Sequence, residues 1–120
     1  MADNRLEDYK DLIVWKRAME LVKAAYAVAR LLPKEENYAL ADQIRRSAVS
    51  IPSNIAEGYG RGSTTDYRRF LTIARGSRYE LETQLLLCIQ LGYVSDKDTA
   101  NAMQLGIEVA KLLNAIIAKL

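Results

Sequence analysis

Helix formation along this chain is interrupted at only three places: Pro33, the glycine cluster Gly58-Tyr59-Gly60-Arg61-Gly62, and Gly92. Between them, apolar residues recur at three- and four-residue steps, the spacing of one helix face. No strand-like alternation, internal repeat or low-complexity tract competes with that pattern, so the chain is restricted to an all-α fold. Short connections make sequential helices antiparallel neighbours. The sequence therefore predicts a single domain over residues 1–120, an antiparallel up-down-up-down four-helix bundle. A polar amino-terminal extension, residues 1–10, precedes it. At 120 residues the chain can bury roughly two-thirds of the surface it exposes when unfolded.

The first helix is predicted from about Asp11 to Leu32, with Trp15, Met19, Val22, Tyr26 and Ala29 as its core stripe. The second runs from about Tyr38 to Gly58 on Leu40, Ile44, Ala48, Ile51 and Ile55. Pro52 falls inside it, removes one backbone donor and frees the Ala48 carbonyl, so a kink or brief break is expected there. The third helix starts at the capping sequence Ser63-Thr64-Thr65-Asp66 and continues to about Gly92. Tyr67, Phe70, Leu71, Ala74, Leu81, Leu85, Cys88 and Ile89 carry its core. The fourth starts at a similar cap, Ser95-Asp96-Lys97-Asp98, and reaches the carboxy terminus.

Two helices have more apolar surface than one bundle core uses. The fourth places Met103, Ile107, Ala110 and Ile117 on one stripe and Val109, Leu113 and Ile116 beside it. The first adds Val14, Leu21 and Val28 next to its stripe. A core-facing helix needs an apolar arc of roughly 100°. A lone subunit would expose the surplus, which predicts a homo-oligomer.

The chain has no histidine and one cysteine, Cys88. An intramolecular disulfide, a structural Cys/His zinc site, a Ser-His-Asp triad and a Cys-His pair are thereby excluded within one chain. No cofactor or metal is expected. The segment Met1 to Lys10 is polar and of mixed charge, unlike a secretory signal. No window reaches the roughly 18 apolar residues that cross a bilayer. The expected address is the cytoplasm, with no membrane partner.

Polar residues border two of the apolar seams. Ser47 and Asn54 abut the second helix's core stripe, and Arg46, Ser50, Ser53 and Glu57 run down the adjoining flank. On the third helix Ser77 lies within the core stripe, Arg78 at its edge and Glu80 on a flank. Half-buried polar groups need partners, so Ser47, Ser50, Asn54, Glu57, Ser77, Arg78 and Glu80 are expected to pair as a network or a subunit contact. Glu57 and Glu80 also form a candidate carboxylate pair for hydrolysis, but no nucleophile with a base stands beside them. The expectation is a non-enzyme. Gly58-x-Gly60-x-Gly62-Ser63 before a helix suggests a phosphate cradle, yet a P-loop needs a preceding strand and Gly-Lys-Ser/Thr. A plain interhelical turn fits better.

Charge is segregated along the chain. Residues 38–79 carry seven arginines and no lysine against Asp42, Glu57 and Asp66. Arg68, Thr72, Arg75 and Tyr79 share one face of the third helix away from its core, and Arg61 sits in the loop before it. Arg45 points away from the second helix's core, and Arg46 lies on its polar flank. Arginines interleaved with tyrosine suit phosphate contacts and base stacking. Arg45, Arg46, Arg61, Arg68, Arg75 and Tyr79 are therefore the candidate nucleic-acid residues, for RNA or DNA. An oligomer would repeat the surface and multiply weak phosphate contacts. Recruitment of a protein partner, such as a polymerase or a ribosome-associated factor, is the alternative.

Three elements of the sequence resemble a known family. They are Leu12-Ile13-Val14-Trp15-Lys16; the run from Arg45 to Gly58, RRSAVSIPSNIAEG; and Phe70-Leu71-x-x-Ala74-Arg75-Gly76-Ser77-x-x-Glu80-Leu81 followed by Leu91-Gly92-Tyr93. Together, over about residues 10–118, they resemble the bacterial four-helix-bundle family encoded in intervening sequences within 23S ribosomal RNA genes. The resemblance implies a homopentamer with an axial channel. The chain is also similar to the accessory protein of diversity-generating retroelements, which implies a pentamer that binds nucleic acid and a reverse transcriptase. The residues matching the family motif, Arg46, Ser50, Asn54, Glu57, Ser77 and Glu80, serve either the assembly or a ligand.

Overall fold

The computed structural model describes residues 8–120. Most of the polar extension expected at the amino terminus, residues 1–7, lies outside the described residues. Four helices account for most of the described residues: α1 (Ile13–Ala29), α2 (Leu40–Gly60), α3 (Thr64–Gln90) and α4 (Asp96–Lys119). Short 3-10 turns at Tyr9–Asp11 and Lys34–Glu36 precede α1 and α2, and no strand occurs among the described residues. The molecule measures 54 × 23 × 21 Å.

The starts of α3 and α4 are set by side-chain oxygens. Ser63 Oγ accepts from the Asp66 amide before α3. Ser95 and Asp98 form a full reciprocal capping box before α4. At the opposite termini, Gly62 and Gly92 adopt φ of 81° and 79°, the left-handed region that only glycine enters without strain. Gly58 has a different job from the helix stop expected of it. It lies inside α2, where an added Cβ would stand 2.6 Å from the Phe70 Cβ, so its bare backbone sets the close approach of α2 to α3. Helix α2 runs on through Pro52, which is buried, without the brief break that the sequence left open.

Each helix packs on two others: α1 with α2 and α4, α2 with α3, and α3 with α4. Their shared core holds Leu21, Val28, Ile44, Ile51, Ile55, Leu71, Leu81, Leu85, Val109 and Leu113. On α2 and α3 the expected stripes face this core. On α1 and α4 they meet it mostly at its edge: Ala29 of the α1 stripe is buried, while Trp15 and Val22 of α1 and Met103 and Ile117 of α4 are half-buried against the core. The buried side of α1 is Val14, Ala18, Leu21, Ala25 and Val28, whereas Trp15, Val22 and Tyr26 are half-buried and Met19 is 41% exposed. On α4 the buried line is Thr99, Ala102, Gly106, Val109 and Leu113, and Ile107 is 38% exposed. The cause is small residues at the seams. Ala18, Ala25, Ala102 and Gly106 occupy the inner lines of α1 and α4, so the core line passes through side chains that contribute little apolar area themselves. A reading weighted by large residues is displaced to one side of it.

Candidate nucleic-acid interface

Two polar systems follow from this packing, one inside the α2–α3 seam and one on the outer surface. Within the seam, Ser47 Oγ donates to Gln84 Oε1 at 2.7 Å and Ser50 Oγ meets Ser77 Oγ at 2.8 Å. Asn54 Nδ2 donates to the Ser50 carbonyl at 2.7 Å and to Ser50 Oγ at 2.9 Å. Ser47, Ser77 and Gln84 are buried, and no buried side-chain polar atom among the described residues lacks a partner. Gln84 is a member of this seam that the polar rows of the sequence do not include. It stands seven residues after Ser77, two helical turns along the same face, and that spacing was the available signal.

Three residues expected in this network lie elsewhere. Glu57 faces outward and holds Arg61 Nη2 at 2.7 Å on its own side of the turn. Glu80 is exposed and makes no hydrogen bond or ion pair with the described residues. Arg78 is buried but turns toward α4. Its Nε donates to the Gly106 carbonyl at 3.0 Å and its Nη1 to Glu82 at 3.2 Å. The position of Gly106 brings that carbonyl within reach, and Glu82 supplies the countercharge that a buried guanidinium needs. Glu57 and Glu80 are not joined to each other by any hydrogen bond. Among the described residues no three His, Cys, Asp or Glu side chains converge as a metal-ligand group.

On the surface the arginines separate by partner. Arg46 is paired with Asp42 at 2.8 Å, Arg61 with Glu57, and Arg69 with Asp66 at 3.7 Å. Arg61 and Arg69 also approach the Phe70 ring, 5.0 and 4.4 Å from its centroid. The bond to Glu57 raises the Arg61 pKa further above its ordinary value. The α3 face toward α4 differs. Arg75 donates to the neutral Asn114 Oδ1 at 3.0 Å, Arg68 has no partner among the described residues, and Tyr79 is 57% exposed. Their seven- and four-residue spacings keep all three on one side of the helix. Arg45 is bonded to the Asn37 carbonyl at 2.8 Å, near the α1–α2 connection. It lies 16 residues from Arg61, about 24 Å along the axis at helical rise. The six candidate nucleic-acid residues therefore form no single patch.

The residues counted as surplus on α1, Val14, Leu21 and Val28, are buried in the subunit's own core, as are Val109 and Leu113 of α4; the apolar surface left open includes one groove between α1 and α2. Trp15, Met19 and Val22 of α1 face Val49, Pro52 and Ala56 of α2 across an open concavity of about 330 Å³. These are the residues that the sequence placed in the core of α1. No helix among the described residues is long and apolar enough to cross a membrane.

No curated protein matches the chain. Among solved structures, a protein of unknown function from the S23 ribosomal protein family of Bacteroides thetaiotaomicron is similar, with a TM-score of 0.80 at 27% identity. The similarity covers 88% of this chain and 98% of that one. The model of the 23S rRNA-intervening sequence protein family matches residues 10–115, and the chain belongs to that family.

Proposed function

We propose that the chain is the subunit of a non-catalytic, ring-forming assembly of up-down-up-down four-helix bundles that binds structured RNA in the cytoplasm. The observation that carries this reading is the α3 face of Arg68, Arg75 and Tyr79, whose two guanidiniums have no carboxylate partner while Arg46, Arg61 and Arg69 do. Unneutralised guanidiniums attract phosphate, and an exposed phenol offers a stacking surface. The family's name, 23S rRNA-intervening sequence protein, supports the reading by genomic setting alone.

The antiparallel course is supported by the order of cross-helix contacts. Ser47 meets Gln84, Ser50 meets Ser77 and Gly58 approaches Phe70, so partner numbers fall on α3 as they rise on α2. A bend in α2 at Pro52 belongs to the same reading, because the imino acid leaves the Ala48 carbonyl without its helical donor. The ring, five copies by resemblance, is supported by the half-open apolar groove between α1 and α2. The non-catalytic reading rests on the absence of histidine and on the engagement of Glu57 with Arg61.

Binding to duplex and single-stranded RNA across a salt series tests the proposal. Affinity should fall steeply with salt as neutralised phosphates release counterions. Arg68→Ala with Arg75→Ala should weaken binding and flatten the slope by about two charges per subunit engaged. No binding at low salt, or binding untouched by the double substitution, overturns it. The same apolar groove favours a second reading, an adaptor that recruits a protein. That reading expects a protein partner whose co-purification survives nuclease treatment.

A further inference from the structure

A second basic feature lies between α1 and α2, on the edge opposite the α3–α4 face. Helix α1 stops at Ala29, Pro33 prevents its continuation, and the 3-10 turn Lys34–Glu36 leads into α2. This connection folds around an open concavity of about 470 Å³, within the range of small-molecule sites. Three cations line it, Arg30, Lys34 and Arg45, and no carboxylate does. Arg30 and Lys34 have no ion-pair partner among the described residues. Arg45 is oriented by the Asn37 carbonyl and Oδ1, at 2.8 and 3.3 Å, which fix the guanidinium without neutralising it.

The nearby acids are committed elsewhere or lie outside the concavity. Glu36 accepts from the Tyr93 hydroxyl at 2.7 Å and from the Leu40 amide at 3.3 Å. Asp42 holds Arg46 at 2.8 Å in the adjoining groove, which Arg45 also borders. Glu35 follows Lys34 in sequence but does not line the concavity. The field inside is therefore positive. Tyr38, also part of the lining, is 92% exposed. An aromatic ring left open beside three uncompensated cations matches a ligand with a planar base and an anionic group.

We propose that this concavity binds a nucleoside 5′-phosphate, with Arg30, Lys34 and Arg45 taking the phosphate oxygens and the Tyr38 ring stacking on the base. The site is separate from the α3 face and stands or falls independently of it. Its ligand comes either as a free mononucleotide or as an unpaired nucleotide of an RNA strand.

Calorimetric titration of the full chain with adenosine 5′-monophosphate, adenosine, inorganic phosphate and single-stranded oligoadenylate tests this. Adenosine monophosphate should bind more tightly than adenosine or phosphate alone. Tyr38→Ala should weaken it by about tenfold or more, the loss of one base stack. Lys34→Gln with Arg45→Gln should weaken it and flatten its salt dependence, while Arg68→Ala with Arg75→Ala should leave it unchanged. Equal affinity for mononucleotide and strand supports the free ligand. A tighter strand, displaced by the mononucleotide, supports the unpaired nucleotide. Absent mononucleotide binding at low salt overturns the proposal, as does binding that neither pocket variant alters. A Tyr38→Ala protein whose assembled mass changes would assign the exposed ring to a subunit contact, and that result also overturns it.

Discussion

Ser50 receives two demands at one hydroxyl: it meets Ser77 across the α2–α3 seam and accepts from Asn54 one turn along its own helix. Replacing Asn54 with Leu removes the donor that satisfies Ser50 from within α2, and should lower stability by about 1–3 kcal/mol. Gly58→Ala acts by a different route four residues on. Alanine gains roughly 1 kcal/mol of helix propensity over glycine. The new Cβ, however, meets Phe70 at 2.6 Å, a contact close to the α3 backbone that no rotamer relieves. Overpacking of this kind costs about 1–3 kcal/mol, so the net change should be destabilising. Thermal melts of both variants at one fixed chain concentration check these values, and an unchanged melting temperature would contradict the account of the seam. The serines and Asn54 were legible as a row needing partners. Their partner Gln84 was not, because a glutamine on a helix is usually solvated and only its seven-residue spacing from Ser77 set it on the same face.

At the scale of helices, the breaks at Pro33, Gly62 and Gly92, and the caps at Ser63 and Ser95, could all be read from sequence. They reflect local chemistry: a missing donor, a left-handed turn, a hydroxyl beside a free amide. Which side of α1 and α4 faces inward was not legible, because it depends on how closely neighbouring helices approach. Ala18, Ala25 and Gly106 look unremarkable singly, yet all three lie on the buried lines of their helices. That placement predicts opposite behaviour for two residues of α1. Leu21 is fully buried, and Leu21→Ala should cost about 2–5 kcal/mol of folding stability. Met19 is 41% exposed in the α1–α2 groove, so Met19→Ala should leave folding nearly intact and weaken association instead. Denaturant unfolding together with sedimentation separates the two effects. Equal losses of folding stability would contradict the assigned core. The candidate arginines were found for the same reason that they were over-grouped. Their positions on a wheel are local, but the acids that neutralise Arg46, Arg61 and Arg69 had to be located before the α3 face stood apart.

For the whole molecule, the central claim is that subunits with apolar groove surface left over assemble and repeat an RNA-facing array of arginines. A single subunit offers only two uncompensated guanidiniums on α3, too few for tight phosphate binding at physiological salt. Repetition around a ring raises the effective concentration of each later contact. The most direct measurement is the assembled mass of the purified chain at micromolar concentration, by light scattering or native mass spectrometry. The account predicts a closed assembly of several 13.5 kDa chains, five by resemblance, dispersed by Met19→Glu with Val49→Glu. A stable mass of 13.5 kDa for the unmodified chain would contradict it.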